Sequence, residues 1–153
     1  MNIVMNIDNI DNNNIFLANE IKNTIINEGV FYKLNYSNHI LTLTNLLIKL
    51  EIPEYTIFQN YFKYKCAFRA EKYTDFINKI TALEYSILYK IYPNNKRIYR
   101  RANANISRLL QSGSFKLTQQ PLEKTSTITL KISGIWETDE SYGLTYKFIF
   151  LSK

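Results

Sequence analysis

STITLKISGIWETDESYGLTYKFIFL, residues 126–151, is the stretch whose pattern decides the fold. Ile128, Leu130, Ile132 and Trp136 fall on one parity, with Lys131 on the other. Leu144, Tyr146, Phe148 and Phe150 repeat the pattern, with Thr145 and Lys147 opposite. A period of two belongs to a strand with one buried face. Thr138-Asp139-Glu140-Ser141 supplies turn chemistry between the two runs. The spacing predicts an antiparallel hairpin with arms over 126–137 and 142–151.

Working outward, residues 105–117 read as a strand interrupted near Ser112-Gly113, preceded by a basic connector, NNKRIYRRANA, at 94–104. The best helix is 73–92. Phe76, Ile77, Ile80, Leu83, Ile87, Leu88 and Ile91 recur at helical spacing, Thr74 can cap the start and Pro93-Asn94-Asn95 ends it. Glu84 interrupts the apolar stripe and is expected to pair with a basic residue of the connector.

Residues 59–69, QNYFKYKCAFR, alternate cleanly. Phe62, Tyr64, Cys66 and Phe68 point one way; Tyr61, Lys63, Lys65 and Arg69 point the other. Residues 39–52 read as a long strand whose phase slips between Leu43 and Leu46, which a bulge near Thr44-Asn45 would repair. Residues 30–36 alternate around Val30, Tyr32, Leu34 and Tyr36. Residues 15–28 place Phe16, Leu17, Ile21, Ile25 and Ile26 at roughly helical spacing before Gly29, which predicts a short helix with a glycine stop. Residues 1–14 read as a mobile arm or a loosely paired edge strand.

The expectation is a mainly β chain with one long helix, arranged as an OB-like antiparallel barrel. A helix packed on an antiparallel sheet is the alternative. Residues 1–28 are expected to form an N-terminal arm and short helix, and 29–153 the OB-like domain.

Charge is uneven. Residues 60–116 hold twelve cations against three acids, residues 1–59 hold three against six, and residues 117–153 balance at four each. A basic cluster of this kind is the electrostatic footprint of a polyanion binder. Lys96, Arg97, Arg100 and Arg101 put four cations into six residues, which repel one another unless a polyanion or acids face them.

Catalytic and metal motifs are missing from the pattern. His39 is the one histidine and reads as a turn residue; Cys66 is the one cysteine, on the apolar parity of its strand. No metal-ligand spacing, nucleophile motif or phosphate loop is present, so the reading is non-catalytic, without cofactor or metal. No apolar run is long enough for a membrane span, and no leader pattern opens the chain. A soluble intracellular protein is expected.

Basic side chains neutralise phosphates and aromatic faces stack on unpaired bases, so a single-strand binder needs both on one surface. The candidate residues are Tyr61, Lys63, Lys65, Arg69, Lys96, Arg97, Tyr99, Arg100, Arg101, Arg108, Lys116, Lys131 and Trp136. Tyr61 also reads as an ordinary surface aromatic, Tyr99 as an anchor for the connector, and Trp136 as core by its parity.

Several of these residues carry a likeness. Ile48-Lys49-Leu50-Glu51-Ile52-Pro53 ends a strand, Tyr61-Phe62-Lys63-Tyr64-Lys65 leads into the helix Phe76–Ile91 with Leu83-Glu84, and the connector with Tyr99 precedes Gly113-Ser114-Phe115-Lys116. Lys131-Ile132-Ser133-Gly134-Ile135-Trp136 and Tyr142-Gly143-Leu144-Thr145-Tyr146-Lys147-Phe148 close the chain in the same order. From about residue 30 to 151 it resembles the OB-fold single-stranded DNA-binding proteins of large double-stranded DNA viruses and some phages. The resemblance implies sequence-tolerant binding of single-stranded nucleic acid, DNA favoured over RNA, at sites of viral replication or repair. It leaves open a homo-oligomer, and a structural or host-interaction protein on the same fold. Phage members typically end in an acidic tail that contacts partners; this sequence ends Phe148-Ile149-Phe150-Leu151-Ser152-Lys153, so tail-borne recruitment is not expected.

Overall fold

The computed structural model describes residues 3–18, 21–23 (backbone alone), 29–61, 63–91, 101–117 and 127–151. The hairpin is its spine. Strands β11 (Thr127–Glu137) and β12 (Ser141–Leu151) pair antiparallel along almost their whole length. On its other edge β11 takes two partners in turn. Thr129–Ile132 pair with β6 (Leu46–Lys49), and Gly134–Glu137 pair with β4 (Gly29–Ser37). The change of partner falls at a bulge between Ile132 and Gly134.

That bulge corrects the parity expected for Trp136. One extra residue in a strand exchanges the faces beyond it. Ile128, Leu130 and Ile132 face the core, and beyond Ser133 it is Ile135, fully buried, that continues them. Trp136 is turned to the opposite face and is only half-buried.

The N-terminal segments complete this large sheet. β1 (Val4–Met5) runs parallel to β6, β2 (Ile15–Leu17) and β3 (Ile21–Asn23) pair with β4, and β5 (Thr42–Leu43) pairs with the end of β4. The helix expected over 15–28 is therefore replaced, at 15–17 and 21–23, by short strands, and Gly29 opens a strand instead of stopping a helix; residues 19–20 and 24–28 lie outside the described set. A three-residue segment satisfies either period, and pairing along the edge of β4 decides it. The phase slip in 39–52 sits where it was predicted. Thr44-Asn45 is a break between β5 and β6, which serve different partners, instead of a bulge within one strand.

Residues 3–17 are attached to the body through Ile7 and Ile15, both buried. The Asp11 N–H donates to the Tyr36 hydroxyl at 3.2 Å, and Lys79 Nζ reaches Asp8 Oδ1 at 2.8 Å. Among the described residues of the segment read as an arm or edge strand, Val4–Met5 alone form a strand, while Ile7–Asn9 and Asn12–Asn14 are single 3-10 turns.

A second, three-stranded sheet holds β7 (Thr56–Asn60), β8 (Lys63–Ala67) and β10 (Ser114–Leu117), in the order β10-β8-β7. The alternation of 59–69 is real over 63–68, but the segment is not one strand: it turns at Tyr61, and β7 returns along β8. Helix α1 (Thr74–Tyr89) buries Phe76, Ile77, Ile80, Leu83, Ile87 and Leu88, as its spacing predicts. Thr74 is its first residue and not its cap; its hydroxyl donates to the Glu71 carbonyl at 3.3 Å. Pro93-Asn94-Asn95 lie outside the described residues.

The strand expected over 105–117 is a helix followed by a strand. α2 (Asn105–Ser112) buries Ile106 and Leu110 completely, and Gly113 ends it in the left-handed region at φ 81°. Glycine is required there twice over: by that φ, and because a Cβ would stand 2.6 Å from the Phe68 carbonyl oxygen. β9 (Arg101–Asn103) runs parallel to the start of β12.

The fold is thus mainly β with one long helix. α1, α2 and the small sheet all lie against the face of the large sheet that carries Leu130, Ile132, Leu144 and Phe148. The two sheets do not close into a barrel. They are joined by side chains, chiefly the stack of Phe115 from β10 on Phe148 from β12, with centroids 3.9 Å apart and planes 17° from parallel.

Candidate nucleic-acid interface

The small sheet is one layer thick over the core, so its rows alternate between buried and solvent-facing. Ile57, Cys66 and Phe115 stand opposite one another and face in. The next row, Phe58, Lys65 and Lys116, faces out, and all three side chains are exposed. The outward face reads Thr56, Phe58 and Asn60 on β7, Lys63, Lys65 and Ala67 on β8, and Ser114 and Lys116 on β10. It holds three cations and no acid. Lys65 and Lys116 are direct cross-strand neighbours, an arrangement of like charges that weakens a sheet by about 0.2–1 kcal/mol. Among the described residues none of the three lysines has an acidic partner.

Tyr61 stands at the tip of the β7–β8 hairpin. It is 86% exposed and has φ 59°, a left-handed backbone that bulky side chains rarely adopt and that costs about 1–2 kcal/mol. Glycine or asparagine is the usual occupant of such a position. The site holds a large, solvated aromatic ring at an energetic cost.

Beside this face, where the small sheet meets the large one, runs a groove of about 430 Å³ lined by Lys65, Leu109, Ser114, Phe115, Lys116, Tyr146, Lys147 and Phe148. Beyond Gly143, β12 pairs only with β11 among the described residues, and β10 pairs only with β8, so the groove lies between two strand edges. Its floor is aromatic: Phe115 stacks on Phe148, and Tyr146 meets Phe148 edge-on with centroids 5.8 Å apart. Burial raises the Tyr146 hydroxyl above its ordinary range, the Glu84 carboxylate adds to this, and the Arg108 charge opposes it. The groove therefore offers a half-buried phenol, flat apolar walls and ammonium groups at the rim.

The other predicted residues are dispersed. Arg69 follows β8, but its Nε is paired with Glu71 at 2.9 Å. Arg108 sits on the exposed side of α2, donating to Asn105 Oδ1 at 3.1 Å, near enough to Tyr146 for its charge to be felt. Arg101 is exposed on β9, with its backbone N–H on the Glu140 carbonyl. Lys131 and Trp136 occupy the outer face of the large sheet. Lys96, Arg97, Tyr99 and Arg100 fall outside the described residues. His39 is exposed in the loop before β5. Cys66 is fully buried, and burial pushes its thiol up to about 12. Among the described residues Glu84 has no cationic partner, and its carboxylate accepts the backbone N–H groups that open α2; the connector cations Lys96, Arg97 and Arg100 lie outside the described set.

Phe58 and Tyr146 were missed. Phe58 became visible only once β7 was known to return beside β8. Tyr146 reads as core by parity, and only the gap between the sheets leaves it half open. Among the described residues no three His, Cys, Asp or Glu side chains gather closely enough to hold a metal ion, and no helix is long and apolar enough to cross a membrane. No family model, curated protein or solved structure matches the chain.

Proposed function

We propose that the chain is a non-catalytic module that binds single-stranded nucleic acid, DNA in preference to RNA, without selecting sequence, in viral DNA replication or repair. The observation that carries the reading is the row Phe58–Lys65–Lys116 running into an aromatic groove, with no acid on that face. Lysines at the rim suit phosphates, and the phenyl and phenol surfaces suit unpaired bases. Tyr61 supports it as well, because strain at an exposed aromatic is what a recognition position shows and a bland surface does not. With this goes an OB-like reading of the fold in which the gap between β10 and β12 is left open for the ligand. A labelled oligothymidine titrated against duplex and heparin competitors tests it. Single strand should be preferred over duplex, and Tyr61→Ala should weaken binding by about tenfold or more if the ring stacks a base. Equal competition by duplex together with an unaffected Tyr61→Ala would reduce the face to a generic basic surface.

One observation favours a second reading, contact with protein. Tyr85 and Tyr89 are 53% and 65% exposed on α1, and with Leu88, Ala102 and Tyr142 they line a shallow depression of about 160 Å³ that holds no charged side chain. A structural or host-interaction protein would use that surface, and Tyr85→Ala would then abolish association without touching oligonucleotide binding.

A further inference from the structure

The large sheet has an outer face, away from the helices, and it is built unlike an ordinary solvated surface. The bulge at Ser133 delivers Trp136 to it, directly opposite Phe31 on one side and Gly143 on the other. The Trp136 ring lies down on Gly143: a Cβ there would stand 2.9 Å from Trp136 Cζ2. Phe31 does the same to Gly134, where a Cβ would stand 2.6 Å from Phe31 Cζ. Each glycine removes the side chain that would lift the ring, so two aromatic rings lie against the backbone, both half-buried. Neither packs against the core cluster.

The cations stand in the adjoining rows. Lys33 is opposite Gly134, and Lys131 is opposite Lys147. Among the described residues of β4, β6, β11 and β12, none that alternates onto this face is an acid; they include Phe31, Lys33, Lys49, Lys131, Trp136 and Lys147. Opposed lysines weaken a sheet unless an anion lies between them. Lys147 also lines the groove described above, because it sits where the second edge of β12 has no strand partner among the described residues. The two basic and aromatic surfaces thus meet at one edge strand.

We infer that a single strand held in the groove continues over the edge of β12 and onto this outer face, so that one ligand contacts both sides of the large sheet. Lys147 and Lys131 take successive phosphates, and the flat rings of Trp136 and Phe31 take bases. The inference rests on the proposed function and extends it. It makes the footprint depend on length: a short oligomer fills the groove, a longer one reaches the outer face.

Trp136 is the one tryptophan of the chain, so its emission reports on the outer face alone. The test titrates the full chain with oligothymidines of about four and about sixteen nucleotides, the range covered by single-strand sites on small β domains, reading anisotropy and tryptophan emission together. Both lengths should bind, and only the longer should quench Trp136. Lys131→Gln, which removes the outer-face charge without engaging Lys147 of the groove, should weaken the longer oligomer by about threefold or more and leave the shorter unchanged. If both lengths bind, Trp136 emission stays constant and Lys131→Gln is silent, the strand stays on one face and the inference falls while the proposed function stands. If neither length binds, both fall.

Discussion

The backbone N–H of Ser107 donates to Glu84 Oε1 at 2.9 Å, and the neighbouring N–H of Ile106 donates to Oε2 at 3.0 Å. The Ser107 hydroxyl adds a third bond to the same carboxylate. Glu84 is 1% exposed, so α1 reaches across and closes the open N-terminus of α2 with a buried anion. A helix N-terminus is where such a charge is best tolerated, since the unpaired N–H groups and the helix dipole both favour it.

Glu84→Gln should therefore be costly although it is nearly isosteric. The amide keeps one acceptor and turns an NH₂ toward a donor. Hydrogen bonds to a charged group contribute about 1.5–3 kcal/mol each, so a loss of about 2–3 kcal/mol is expected, seen as a lower urea midpoint with an unchanged slope. An unchanged midpoint would mean that the carboxylate does not hold α2.

The stack of Phe115 on Phe148 is the main direct link between the two sheets, and it floors the groove. Both rings are buried, at 2% exposure each. Phe115→Ala should destabilise the protein by about 3–5 kcal/mol, the range for losing a buried phenyl. Phe115→Leu should cost less and still lower oligonucleotide affinity by loosening the groove. Equilibrium denaturation beside a binding titration separates the two effects.

Much of this architecture is legible in the sequence where one period holds over many residues. α1, the second arm of the closing hairpin and the first arm as far as Ile132 are of that kind, and their buried faces are those the spacing predicts. The readings failed where a short segment satisfies two periods. Ile106, Leu109 and Leu110 have helical spacing and Gly113 is a natural stop, but eight residues beside a strand were absorbed into it. The bulge at Ser133 has no sequence signal strong enough to overrule parity, so Trp136 went to the wrong face. At the candidate site, Lys63 and Lys65 were legible as solvent-facing cations because charge on the solvent parity of a strand is a local property. Phe58 and Tyr146 were not, because what exposes them is the partnering of β7 with β8 and the gap between two sheets.

Cys66 offers a check on the inner row of the small sheet. Its thiol is raised from about 9 to about 12 by burial. The folded state keeps the proton while the unfolded chain releases it, so stability is intact below pH 9 and falls as pH rises from 9 toward 12. The slope contributed by one such group is at most about 1.4 kcal/mol per pH unit. Cys66→Ala should be less stable at neutral pH, through the cavity, and should lose less between pH 9 and 11 than the unaltered protein. In the native state the thiol should resist alkylation at pH 8 and react on unfolding. Prompt native-state alkylation would place Cys66 outside the core.

The central claim is that the face built by Lys63, Lys65 and Lys116, with Lys147 at the groove, binds the phosphates of a single strand. The salt dependence of oligothymidine binding tests it most directly. For single strands the log–log slope is about −0.7 per phosphate neutralised, so four lysines predict a slope of about −3. The double substitution Lys65→Glu with Lys116→Glu should flatten that slope to about −1.4. It should weaken binding to every base composition alike, because phosphate contacts carry no base information. A slope and affinity unchanged by that pair of substitutions would contradict the account.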